Sequence, residues 1–196
     1  MRYSIREMVL LAGAFMMAGS AAWGQAAPAT VRSTSNADIA LTYDAAQANI
    51  VPGNKFSLQG GSLQIHGRFW HGLGVVADVA GLHTAKMNST GAGLDLVTAT
   101  FGARYTLPES RRGCAAFGQV LAGEANGINS VFPTANGVSQ NASSLALQIG
   151  GGINLRMRHR VAVRAFEANW LRTQMPNATT NVQNNLRIGA GLILRF

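Results

Sequence analysis

The sequence predicts an all-β fold in which eight antiparallel strands close into an up-and-down transmembrane β-barrel, behind a cleaved signal peptide. Three observations carry this expectation. Apolar and polar residues alternate with a period of two in runs from Ala37 to the final Phe196. The connections between these runs alternate between short and long. Charged residues are 12% of the 196-residue chain, against roughly 25% in soluble domains.

The amino terminus accounts for part of the apolar content. Arg2 and Arg6 precede an apolar run from Met8 to Ala18, and small residues follow it, which is the layout of a secretory signal. Cleavage is expected between Gly24 and Ala27. The expected organisation is a signal peptide over 1–25, a short linker over 26–36 and a barrel domain over 37–196. The apolar run is shorter than the roughly 20 residues of a spanning helix. The single Cys114 excludes an intramolecular disulfide, so packing or a membrane must stabilise the fold.

The strands follow in order. In 37–45, Ile39, Leu41 and Tyr43 oppose Asp38, Thr42 and Asp44. In 57–69, Leu63, Ile65 and Phe69 oppose Gln64, His66 and Arg68. In 73–82, Leu73, Val75, Ala77 and Val79 share a row opposite Asp78. In 96–107, Val97, Phe101, Tyr105 and Leu107 oppose Thr98, Thr100 and Arg104.

The second half repeats the design. In 115–125, Gln119 and Glu124 fall on opposite parities, which suggests a bulge or a short register change. In 145–157, Leu145, Leu147, Ile149, Ile153 and Leu155 oppose Gln148, Asn154 and Arg156. In 161–173, Phe166 and Trp170 oppose Glu167 and Asn169, while Arg164 falls on the aromatic row, where it is expected to snorkel to water near a rim. The last run, 185–196, sets Leu186, Ile188, Ala190, Leu192, Leu194 and Phe196 against Arg187 and Arg195.

Short connections fall at 70–72, 108–113 and 158–160, and longer polar ones at 49–55, 86–93, 129–143 and 174–184. Such alternation is the layout of a transmembrane barrel, and strands of about 9–11 residues suffice to cross a bilayer when tilted. Inside lipid every backbone group needs a partner within the protein, so the sheet must close. The greasy final strand is then explained by pairing with the first, with its apolar row toward lipid.

These features together resemble the small eight-stranded outer-membrane β-barrels of the OmpA-transmembrane and opacity-protein type, over essentially all of 37–196. The resemblance implies that Leu192, Leu194 and Phe196 form the signal read by the barrel assembly machinery. It also implies location in the cell outer membrane, with membrane lipids and lipopolysaccharide as partners.

Function classes narrow accordingly. The net charge of +8 falls to +7 once Arg2, Arg6 and Glu7 leave with the signal. Arg68, Arg111, Arg112, Arg158 and Arg160 cluster at the short turns, where anionic headgroups can receive them, and this distribution does not suit nucleic-acid binding. The histidines are too scattered for a metal site, and the glycine pairs do not open a phosphate turn, so no metal or cofactor is expected. Asp78, Arg104, Gln148, Asn154, Arg156 and Arg187 are expected to fill the lumen as a polar and charged network, because lone buried charges are costly. The expected function is a non-enzymatic barrel with a plugged lumen, serving membrane integrity or surface contacts through its loops. The alternatives are a barrel enzyme acting on lipid A or peptides, with His83 beside Thr84 as the rim candidate, or a narrow solute channel.

Overall fold

The computed structural model describes residues 36–48, 56–85, 93–134, 137–177 and 181–196. The expected signal peptide and nearly all of the linker lie outside them. Ten strands are present among the described residues: β1 Ala37–Ala48, β2 Phe56–Trp70, β3 Leu73–Thr84, β4 Leu94–Thr106, β5 Cys114–Ile128, β6 Phe132–Thr134, β7 Gly137–Ser139, β8 Ala142–Arg156, β9 Val161–Thr173 and β10 Gln183–Arg195. Eight of them form a closed antiparallel barrel in the order β1-β10-β9-β8-β5-β4-β3-β2, while β6 and β7 pair as a separate hairpin.

Closure is made by β1 and β10, in register from Asp38↔Arg195 to Gln47↔Leu186. Beyond this ladder the Phe196 N–H donates to the Ala37 carbonyl at 2.9 Å, so the barrel has no free edge. The tightest turn joins β2 to β3 through His71 (φ 38°) and Gly72 (φ 92°). Two consecutive left-handed residues match the twist of a two-residue hairpin, and glycine takes the second place without steric cost.

The outward apolar rows form a belt. From Leu186 on β10 it runs to Phe196, and ten steps of about 3.4 Å, tilted about 45°, span about 25 Å, the height of a bilayer's apolar band. Aromatic residues mark both borders: Tyr43 and Trp170 toward the loop end, and Phe69, Trp70, Tyr105 and Phe196 toward the turn end, where both ends of the barrel domain also lie.

Above the belt the pattern inverts. On the outside, Val97 gives way to Asp95, Val79 to His83, Trp170 to Arg172 and Leu186 to Asn184. The inside turns apolar over the same height, where Phe56, Leu58, Leu82, Leu94, Leu96, Leu171, Phe132 and Met175 form the main buried cluster. The loop-end portion is therefore a water-soluble barrel continuous with a membrane barrel.

This inversion corrects the reading of β5. No bulge is present there: β5 pairs with β4 and β8 without a register shift. Gln119 points inward at membrane height and Glu124 outward above it, so the conflict of parity reflects a change of surroundings rather than of backbone. A bulge does lie in β9, where Ile153↔Phe166 is followed by Asn154↔Arg164. The extra residue turns both Ala165 and Phe166 outward. Arg164, expected on the aromatic row, is thereby carried into the lumen and buried.

Candidate functional site

The lumen holds the densest polar chemistry of the molecule. At its centre Glu167 on β9 accepts hydrogen bonds from four side chains. Its Oε2 takes Arg164 Nη1 at 2.5 Å, and its Oε1 takes Gln64 Nε2 at 2.8 Å, Gln119 Nε2 at 3.0 Å and Asn169 Nδ2 at 2.7 Å. Residues from β2, β5 and β9 thus converge on one carboxylate. The bulge makes this possible, since in a regular strand residues three apart face opposite ways, whereas Arg164 and Glu167 both face inward.

Arg104 from β4 joins the same group. Its Nη2 donates to Gln64 Oε1 and Gln119 Oε1, each at 2.5 Å. Arg164 also donates to Gln64 Oε1 at 2.5 Å and, through Nε, to Asn154 Oδ1 at 3.2 Å. Both guanidinium carbons lie over the face of Phe117, at 4.4 and 4.7 Å from its centroid, where the ring quadrupole attracts them. Glycines make the room: a Cβ on Gly152 would come within 2.9 Å of Phe117 Cε1.

A second group is built around Asp78 on β3. Arg187 Nη2 pairs with Asp78 Oδ2, which also accepts from Gln148 Nε2 at 3.1 Å. Asp44 accepts from Thr42 Oγ1, which lies 2.5 Å from Ser62 Oγ. Arg104, Arg164 and Arg187 are thus matched in number by Asp44, Asp78 and Glu167, all buried. Balanced and hydrogen-bonded charge is the condition under which a low-dielectric interior accepts ions.

Asp78, Arg104, Gln148, Asn154 and Arg187 lie inside the barrel, divided between the two groups. Arg156 does not join them. It is the last residue of β8, at the turn end, with its side chain 52% exposed, and there its Nε meets Glu109 Oε1 of the neighbouring turn at 2.8 Å instead of the lumen. Sequence reasoning left out Arg164 and the hub role of Glu167. The available signal was the Arg164–Glu167 spacing, three apart with a complementary charge and an aromatic residue between.

Toward the loop end the interior formed by the described residues is packed with hydrocarbon. Phe132, at the start of the β6–β7 hairpin, is buried with Met175 in the apolar cluster, and a Cβ on Gly127 would meet Phe132 Cζ at 2.5 Å and Met175 Sδ at 3.2 Å. Gln183 anchors this cap, accepting from Met175 N–H and donating to Met175 O, both at 2.8 Å.

No family model and no curated protein matches the sequence. Solved structures do match. Neisserial surface protein A superposes with a TM-score of 0.63 at 14% identity, over 83% of this chain and 98% of that one. Ail, the attachment invasion locus protein of Yersinia pestis, solved with the heparin analogue sucrose octasulfate, gives 0.53 at 17% identity, over 81% and 97%. The chain has the fold of the small eight-stranded outer-membrane barrels. OprG of Pseudomonas aeruginosa, an outer membrane protein, matches as well, with a TM-score of 0.50 at 10% identity, over 83% and 96%. The chain's fold and its lipid-height belt are those of a barrel that sits in an outer membrane.

On the outer wall of this outer-membrane barrel, above the belt, His83 Nδ1 lies 2.5 Å from Asp95 Oδ1, and Asn129 Nδ2 donates to Asp95 Oδ2 at 2.7 Å. The hydrogen bonds from His83 and then Asn129 hold the Asp95 carboxyl below its usual range. His83 is exposed on a convex surface, and the arrangement ties the β3–β4 rim to the segment leading into the β6–β7 hairpin.

Proposed function

We propose that the protein is a non-enzymatic, non-conducting barrel that serves the outer membrane through its outer wall and extracellular loops, in membrane integrity or in surface contacts. The observation that carries this reading is the double closure of the lumen, by a charge-balanced network at membrane height and by the Phe132–Met175 cap above it. Eight strands leave an interior that side chains can fill, and here long ones do. The extracellular hairpin supports a contact role, since Val131 and Val138 stand exposed on it. The likeness to an attachment invasion protein is in keeping with that role.

The same proposal assigns Leu192, Leu194 and Phe196 to recognition by the barrel assembly machinery, their side chains facing outward from the closing strand, and lipopolysaccharide to contact with the outer wall. Planar-bilayer recording of refolded protein tests the central claim. No reproducible steps above a mock preparation are expected, and open steps of porin size overturn it in favour of the narrow channel.

A further inference from the structure

We infer that the periplasmic turns 107–113 and 157–160 form one binding surface for anionic phospholipid headgroups of the inner leaflet. The two turns are neighbours because β5 pairs with β8, and the Arg156 N–H donates to the Gly113 carbonyl at 2.8 Å across them. Arg111, Arg112, Arg158 and Arg160 stand exposed on this surface. The acid within it, Glu109, is already engaged, one oxygen 2.8 Å from Arg156 Nε and the other 3.2 Å from Arg195 Nη1. No acidic side chain pairs with the four exposed arginines among the described residues.

Position and chemistry select the occupant. Met157 is 66% exposed and Leu107 and Leu155 face outward beside it, so the arginines border the apolar belt at headgroup depth. Guanidinium groups bind phosphate oxygens bidentately, and clusters of basic residues at a membrane surface attract anionic lipid. A zwitterionic lipid offers the same phosphate but no net charge. The charges described on the outer wall above the belt, the half-buried Asp95 and the exposed Glu124 and Arg172, are mixed in sign, so the attraction belongs to the periplasmic end.

The test uses the whole mature barrel, refolded in bilayers of phosphatidylethanolamine and phosphatidylglycerol in equal amounts, then extracted, with co-purifying lipid quantified by mass spectrometry. Phosphatidylglycerol is expected to be enriched about fivefold or more, the effect of even one basic residue near an anionic surface, and less so at high salt. Combined Arg111→Gln, Arg112→Gln, Arg158→Gln and Arg160→Gln should return the ratio to near parity, while the four Lys replacements retain most of the enrichment. Gel migration before and after boiling reports folding, and the two paired sets (111 with 112, 158 with 160) are measured separately should the fourfold Gln variant not fold. Absence of enrichment, or enrichment unchanged in the Gln variants, overturns the inference. So does charge-dependent pelleting with peptidoglycan sacculi without lipid selectivity, which would assign the surface to the cell wall.

Discussion

Replacing Glu167 with Gln should cost more stability than any other isosteric change in the lumen. The carboxylate is 2% exposed and its two oxygens collect Arg164, Gln64, Gln119 and Asn169. Glu167→Gln preserves volume but removes the negative charge beside Arg104 and Arg164, which share the Phe117 face, and turns an amide donor toward groups that already donate. Removing one partner of a buried pair costs about 3–5 kcal/mol, a large fraction of the roughly 5–15 kcal/mol of a whole domain. Urea titration in lipid vesicles, followed by Trp70 and Trp170 fluorescence, measures the loss from the shift of the midpoint at constant slope. The double variant Arg164→Met, Glu167→Gln removes cation and anion together and should be less destabilised than the single Gln variant. A single variant within about 0.5 kcal/mol of the unmutated protein, the ordinary range for a surface change, would refute the hub, as would a double variant whose loss is simply the sum of the two.

The remaining expectations address the belt, the cap, assembly and the rim. Phe101→Arg or Ile149→Arg, outward and near mid-membrane, should each cost about 2–4 kcal/mol in the same titration. Phe132→Ala should cost about 3–5 kcal/mol by opening a cavity in the extracellular cluster, with the folded barrel still shifted in an unheated gel. Deletion of Phe196 should leave export normal while the chain accumulates in the periplasm and is degraded; full outer-membrane yield would remove the sorting role. Asp95 should titrate below the ordinary carboxylate range by NMR, and His83→Gln should move it back up. Because its folded pKa is lowered, its contribution to stability is present above the ordinary carboxylate value and lost as pH falls through the lowered one.

The extent of β9 was legible to the residue, from Val161 to Thr173, because a row that meets lipid and a row that meets the lumen set a spanning strand apart from its polar connections. The extracellular continuation was not. Leu94 and Leu96 share a row with Thr98 and Thr100, and only knowledge of where the bilayer stops explains a row that changes chemistry midway. Glu124 misled for the same reason. Arg164 misled for the opposite one, since an inserted residue changes facing without changing surroundings. The β6 and β7 strands are three residues each and include Pro133, too short for periodicity to register. For the site, polar parity identified Asp78, Arg104, Gln148, Asn154 and Arg187 as inward residues, but which of them would meet depends on how strands far apart in sequence stagger around the barrel, which no single strand encodes.

The switch from apolar to polar on the outer wall bears on how the protein responds to bilayers of different thickness. A single helix adjusts to a thicker or thinner membrane by tilting, at fractions of a kcal/mol per ångström. Here the upper border is drawn all round the wall, with Asp95, Glu124 and Arg172 on β4, β5 and β9 just beyond their last apolar neighbours, and closure of the sheet prevents any one strand from tilting alone. A thicker bilayer would have to submerge these charges, and a thinner one would bare Leu145 and Leu186. A change of thickness is therefore met by the barrel as one body or by the lipid around it, never strand by strand.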